Sequence, residues 1–466
     1  MFAHIGKTAI RPAVVSFGIG ILALGALLAG PVEPAAAQLT VESLIGSAVS
    51  DLGPKYDDVE QAIVRFQNGD VRGALQYLQN AKEKHPQLPP PDVTLAKMQM
   101  AYRNQGPANA LLERAVKDYP EDPEAYILFA DQSFAGGRLT DADTVYQKAA
   151  DLAQNMTGNE KRKRAFITHT HTGQAAVAER RGDFETAEQH LKAWVESDPE
   201  SATAHHRLGT TLFRLERYKE GYDEFSRARK LDPKLPHPDV TTAKLFHQMG
   251  KADEARKSFE RAVQMDGENA ETLFAYAQWL MEMGEAVAAR QPLANARRIA
   301  PEHAQLLLFS GVASKMSGDM EEAEQFLLDA LAIAPTSQDV LNQLALTLSD
   351  SEDETKRQRG LQFAQVSANL HPQNNESAVT LGWAFYRLNR LPEAEKTIQN
   401  ALRMGQLNSD SSYLIARILF EQNKLDDAAR ILSSVVDDQG IFVHRQQAQQ
   451  LRTQIDREQS VAPGGQ

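Results

Sequence analysis

Cysteine is absent from the 466 residues. Its absence excludes disulfides, thiolate metal sites, a cysteine nucleophile and a lipid-modified cysteine anchor. Positive charge is in deficit, with 50 Lys and Arg against 62 Asp and Glu. Such an acidic surface repels nucleic acid, so no general phosphate binding is expected. After residue 37 no run is apolar enough to span a bilayer. Catalytic signatures are missing as well. The chain has no Gly-rich phosphate loop, no nucleophile elbow and no metal-binding His and Glu at i, i+4 spacing. Glu321-Glu322 and Asp426-Asp427 are paired acids at turns or helix starts, where acids complement the helix dipole. No enzyme, cofactor or metal centre is expected from these features.

The first 37 residues have the three parts of a secretory signal. Lys7 and Arg11 give a positive start, residues 13–29 are apolar, and Ala35-Ala36-Ala37 offers a small-residue cleavage site. An uncleaved anchor through residues 13–29 is the alternative, since 17 apolar residues lie at the short end of a bilayer span. The expected location is therefore periplasmic or secreted, or else anchored to the inner membrane by that segment. Without residues 1–37 the charge balance is 48 against 61, because Lys7, Arg11 and Glu33 leave.

What the chain does have is a period. Ala108 and Ala142 lie 34 residues apart, as do Ala187, Gly221, Ala255, Ala289 and Ala323 in one unbroken run. Gly360, Ala394 and Ala428 resume it. A period in this range marks a stacked repeat array. In residues 304–337, Leu307, Leu308, Gly311 and Val312 form one helical stripe. Gly318-Asp319 interrupts it, and Ala323, Phe326, Leu327, Ala330 and Leu331 form a second, closed by Pro335. The pattern predicts two amphipathic helices joined by a tight turn, crossing closely at Gly311 and Ala323.

This unit resembles a tetratricopeptide repeat, with Gly311, Ala323, Leu327, Ala330 and Pro335 at that family's signature positions. Residues 55–88 match through Ala62, Ala74, Leu78, Ala81 and Pro86, and residues 202–235 through Gly209, Gly221, Phe225, Ala228 and Pro233. About eleven units fit within residues 55–442. The resemblance implies an all-α, right-handed superhelical solenoid of helix-turn-helix hairpins. Residues 38–54 read as a lead-in, 443–458 as a polar C-terminal capping helix, and 459–466 as an unstructured tail.

The register departs twice. Residues 157–167, including Lys161-Arg162-Lys163-Arg164, add 11 residues, and three more lengthen the turn at Asp350–Glu354. Both are expected to be solvated loops, with partner docking the alternative for the basic one. Trp194 stands where the family has a small residue and should push the neighbouring helix outward. Pro292 inside a helix should kink it at roughly 3 kcal/mol.

In the family, first helices line a concave groove. Mapped onto this chain, His169, Thr172, His206, Phe213, His237, Lys244 and His247 face it in repeats four to six. Trp383, Tyr386, Tyr413, Arg417 and Phe420 face it in repeats ten and eleven. Aromatics and Arg often dominate binding energy, although aromatics at helical spacing also suit a packed core. His169 and His171 diverge on a helix, as do His205 and His206, so neither pair chelates a metal. The Lys and Asn clamp for a chaperone's C-terminal carboxylate is not matched. Position 9 of the first six units holds Ile63, Lys97, Asp131, Ala176, Thr210 and Lys244.

The expected function is a non-catalytic scaffold that binds partner proteins or peptides along the groove, with resemblance suggesting cell-envelope assembly beside polysaccharide machinery. A carbohydrate-binding module using Trp383 and Tyr386 in polysaccharide export, and a structural spacer without a ligand, are the alternatives.

Overall fold

The computed structural model describes residues 39–46, 56–405, 407–435, 438 and 440–461. The proposed signal at 1–37 lies outside them. Twenty-four helices and no strand occur among the described residues. None of these helices is long and apolar enough to cross a membrane. The chain forms two compact units, one up to Gly173 and one from Gln174 onward, and the division falls inside helix Glu160–Arg181.

In the first unit, hairpins 1 to 3 pair Asp57–Gln67 with Val71–Lys84, Pro91–Ala101 with Gln105–Asp118, and Glu124–Ala135 with Leu139–Asn155. Hairpin 4 joins Glu160–Arg181 to Phe184–Ser197. In the second unit hairpins 5 to 7 are Ala202–Arg214 with Tyr218–Leu231, Pro238–Gln248 with Ala252–Asp266, and Ala270–Glu282 with Ala286–Ile299. Hairpins 8 and 9 are Ala304–Met316 with Met320–Ile333 and Gln338–Ser349 with Glu354–Leu370. Hairpins 10 and 11 are Asn375–Arg387 with Leu391–Met404 and Ser409–Glu421 with Leu425–Ser433. Helix Arg445–Val461 follows and packs on hairpin 11, burying Ala448, Leu451 and Ile455.

Small residues let the paired helices meet. Ala255, Ala289 and Ala323 are fully buried. A methyl group added at Gly209 would stand 2.7 Å from the Phe225 ring and 2.9 Å from the carbonyl oxygen of Gly221. At Gly311 it would stand 2.7 Å from Leu327 Cγ and 3.2 Å from the Ala323 carbonyl oxygen. Both helices therefore touch backbone to backbone, as the period predicts. Each large apolar residue sealed beside such a crossing, such as Leu327, contributes about 1.5–3 kcal/mol.

The turns share one device. Gly250, Gly284 and Gly318 hold φ of 72°, 78° and 86° at 34-residue spacing. The same position is filled by Arg103 (φ 61°), Glu216 (φ 61°), Asn389 (φ 58°) and Asn423 (φ 60°). The following amide reaches back over the helix end, as Asn104 N–H to Gln99 O and Asp319 N–H to Ser314 O, both 2.9 Å. That is a Schellman closure, which satisfies carbonyls the helix cannot.

Both insertions are folded rather than looped. The basic insert starts helix Glu160–Arg181, and Arg162 is only 6% exposed. Its guanidinium meets Asp122 at 3.0 Å and Glu124 at 2.8 Å, and Glu124 also pairs with Lys97. Two carboxylates and a second cation make the burial tolerable, so this insert is an internal anchor and not the expected solvated loop. Burial alone would raise the Glu124 carboxyl, but Lys97 and Arg162 hold it below the ordinary range. The later insertion lengthens helix Glu354–Leu370 to 17 residues, where Lys356 and Arg359 reach Glu324 at 2.7 and 3.1 Å.

Pro292 lies buried inside helix Ala286–Ile299, which continues through it. Trp194 packs among Ala175, Leu191, Ala204 and Leu208, with the Arg207 guanidinium 5.5 Å from its ring. The final helix runs to Val461, three residues beyond the predicted end of the cap.

Arg103→Gly removes a left-handed non-glycine residue and should stabilise the chain by about 1 kcal/mol in urea unfolding. Gly209→Ala should destabilise it by about 1–3 kcal/mol in the same assay, because neither the Phe225 ring nor the Gly221 backbone can yield freely.

Candidate partner-binding surface

Within the second unit, first helices touch the first helices of the next hairpin from Pro238–Gln248 through Ser409–Glu421. Second helices are not in comparable mutual contact. First helices therefore form the inner wall of this unit from hairpin 6 onward and carry the groove candidates from Lys244 to Phe420, while His206 and Phe213 lie on the first helix of hairpin 5 and His237 caps that of hairpin 6. His169 belongs to the first unit, where its Nε2 lies 3.0 Å from Asp131, which also accepts the Tyr146 hydroxyl.

At hairpins 5 to 7 the wall is partly open. Lys244 is exposed, and His247 Nε2 lies 3.5 Å from Glu282 Oε2. Burial raises the Glu282 carboxyl above its usual range, while His247 and Lys244 pull it back. His206 sits with its ring 5.3 Å from that of Phe225, and burial lowers its pKa.

Two candidates here serve the fold instead. Phe213 is fully buried between Phe225 and Leu245, with its ring 4.7 Å from Phe246, so it does not face a groove. Position 12 of this repeat points into the layer between hairpins. His237 caps helix Pro238–Gln248, accepting the Asp239 amide on Nδ1 at 3.2 Å. Burial lowers its pKa against the opposing pull of Asp239.

The aromatic group at hairpins 10 and 11 is gathered as expected, but it is largely covered. Trp383 is 6% exposed and donates Nε1–H to Asp350 Oδ1 at 2.9 Å. Tyr386 lies 5.4 Å from it, centroid to centroid. Tyr413 is 9% exposed, stacked 4.9 Å from His444 at 18°. Arg417 pairs with Glu421 at 2.8 Å and lies 5.8 Å from the Phe420 ring, and these two stay half-buried. Trp383 and Tyr413 are thus not the solvent-facing contacts the sequence pattern implies.

What covers them was not legible in advance. Lys315 and Asp350 form a buried ion pair at 3.0 Å beneath Trp383. Burial alone would raise the Asp350 carboxyl, but Lys315, His444 and the Trp383 N–H bring it below its ordinary range. His444, Phe442 and Asp410 complete the cover. No motif marks them, because their partners lie on other repeats. Among the described residues no cluster of three or more His, Asp and Glu side chains could hold a metal ion.

Comparison places these observations in a family. The tetratricopeptide repeat pattern matches residues 99–156, 172–236 and 379–440 in one form. A second form of the same repeat matches residues 246–308, and together the stretches span over half the chain. No curated protein matches the chain. Among solved structures, yeast Tom70 is 13% identical at TM-score 0.39, the match covering 87% of this chain and 96% of that one. MamA is 19% identical at TM-score 0.31, covering 35% and 93%. A tetratricopeptide repeat protein from Parabacteroides merdae ATCC 43184 is 14% identical at TM-score 0.36, covering 62% and 98%.

The histidines set a pH response. His206 and His237 have lowered pKa values when folded, so the unfolded chain takes up these protons first as pH falls. Stability should therefore decrease as pH drops through the unfolded value of about 6.5. Urea midpoints measured at about pH 7.5 and 6 should show this, and His206→Gln should shrink the difference.

Proposed function

The chain belongs to the tetratricopeptide repeat family, and we propose on that premise that it holds partner proteins by their extended segments, without chemistry of its own. The observation that carries this reading is the wall at hairpins 5 to 7. There Lys244 is exposed while His206, His247 and Glu282 are partly open, although core packing needs none of their charges. A rigid wall of this kind lowers the entropic cost of binding, since its side chains are ordered before the partner arrives.

The setting we propose is the cell envelope, after export on residues 1–37. Lys7 and Arg11, the apolar run at 13–29 and Ala35-Ala36-Ala37 support it. An array without cysteine suits such a compartment, because it holds by packing and has no thiol to mispair. Sugar stacking on Trp383 and Tyr386 loses support, since Trp383 is buried and its N–H is committed to Asp350.

A photo-crosslinking residue placed at position 244 in the full-length protein in its native envelope tests the reading. Adducts with partner proteins are expected there, reduced at least about tenfold when His247→Ala and Glu282→Gln are added. Absence of any adduct at 244, with the protein folded and exported, would refute it. Fractionation of the same cells reports the compartment, and a cytoplasmic pool alone would overturn the export proposal.

A further inference from the structure

The second helices of hairpins 5 and 6, Tyr218–Leu231 and Ala252–Asp266, make no extensive contact with each other. Between them lies a cleft of about 330 Å³, lined also by helix Pro238–Gln248. That volume is at the lower end for small-molecule sites. Thr242 and Phe246, one turn apart, line it from one side of helix Pro238–Gln248, and Lys244 projects from another. The cleft is therefore separate from the wall at hairpins 5 to 7.

One position in the repeat accounts for the opening. Counted by the 34-residue period, Thr242 is the counterpart of Leu208 and Leu344, both buried. In hairpin 7 the counterpart is Tyr276, whose ring stacks 5.7 Å from Phe259. In hairpin 8 it is Ser310, and there a smaller cleft of about 180 Å³ opens. A short hydroxyl side chain thus replaces a large one at both clefts. Ser310 spends its hydroxyl on the Leu306 carbonyl at 2.7 Å. Thr242 is only 4% exposed, and its hydroxyl has no hydrogen-bond partner among the described residues. A buried hydroxyl without a partner weakens a fold, so packing alone does not account for threonine here.

The walls are ordered before anything enters. Buried Asp239 accepts the Tyr222 hydroxyl at 3.1 Å and Arg261 Nε at 3.0 Å. Lys251 donates to the Tyr218 hydroxyl at 2.6 Å, and the Tyr218 ring lies 5.2 Å from that of Phe246. Three aromatic rings therefore line the interior in fixed positions. The mouth is cationic. Lys219 and Lys257 stand on opposite second helices, exposed and without an acidic partner among the described residues. The lining holds one acid, Glu254, against Lys219, Lys257 and Arg261. This is a local surplus of positive charge on a chain of net charge -12.

We propose that this cleft binds a small aromatic acid, its flat body against Tyr218, Tyr222 and Phe246 and its anionic group between Lys219 and Lys257. Ring against ring supplies apolar contact with defined geometry, and two ammonium groups without acidic partners supply charge-assisted hydrogen bonds to the head. Rotamers already fixed by Asp239 and Lys251 lower the entropic cost of binding. The site goes beyond the scaffold reading and does not depend on it, since a ligand here leaves Lys244 and His247 uncovered.

Calorimetric titration of the full-length protein with 2-naphthoate tests this, with 2-naphthalenemethanol as the uncharged analogue. The acid should bind at least about tenfold more tightly than the alcohol. Lys219→Gln together with Lys257→Gln should weaken the acid at least about tenfold, because the head loses both cations. Thr242→Leu installs the side chain that Leu208 and Leu344 carry in other hairpins. It should abolish binding while leaving the urea midpoint no lower than in wild type, since it fills the cleft and removes the unpartnered hydroxyl. Equal affinity of wild type and Thr242→Leu for the acid overturns the proposal. So does an acid affinity unchanged by loss of both lysines, or no saturable binding to wild type. Should Thr242→Leu fail to fold, the lysine pair decides, because both side chains are exposed and their loss leaves the packing intact.

Discussion

Two helices can approach backbone to backbone only where neither carries more than a methyl group, and the architecture depends on that contact. In the Gly209 and Gly221 crossing even a methyl is too much. At Ala323 one is tolerated because Gly311 yields the space. Once the axes are this close, the next large residue along each helix must fill the wedge beside them. Phe225 and Leu327 do so at equivalent positions. The left-handed turn residue then sets the return angle, and the Schellman bond closes it. Each hairpin is thereby a nearly identical tile, and identical tiles can only stack.

Stacking leaves a row of first helices, and the two stretches of that row in the second unit are treated differently. At hairpins 5 to 7 the row carries charge that the core does not use. At hairpins 7 to 11 it carries apolar side chains and a buried Lys315–Asp350 pair, and the chain's own residues 440–445 close over it. Burying that pair costs desolvation, and the cost is contained because the Trp383 N–H and the nearby His444 complement Asp350. The aromatic residues that mark this stretch in the sequence are therefore both wall and core.

Local sterics were legible in the sequence and distant pairings were not. The 34-residue spacing of Gly and Ala reports a contact made within one hairpin, so the sequence alone places Gly311, Ala323 and Leu327. Arg162 could not. Its burial depends on Asp122 and Glu124, some forty residues away, and a run of four basic residues reads as a solvated loop when those partners are unseen. His237 is hidden for a related reason, because a family position says where a side chain points but not that it bonds its own helix start. Phe213 shows the limit of mapping by position, since Phe225, Leu245 and Phe246 close around it. Residues 440–445 carry no periodicity, and their contacts reach back as far as Glu282.

That last reach has an evolutionary consequence. Repeat arrays lengthen and shorten by duplicating or losing whole units, since an open stack accepts another tile anywhere. Here a segment after hairpin 11 grips the end of hairpin 7's first helix. Gain or loss of one unit between those points would carry Glu282 out of reach of Arg445 and part Phe442 from its aromatic neighbours. The contact from Arg445 to the Glu282 carbonyl thus depends on how many hairpins lie between them, and the hairpins before Glu282 do not enter it.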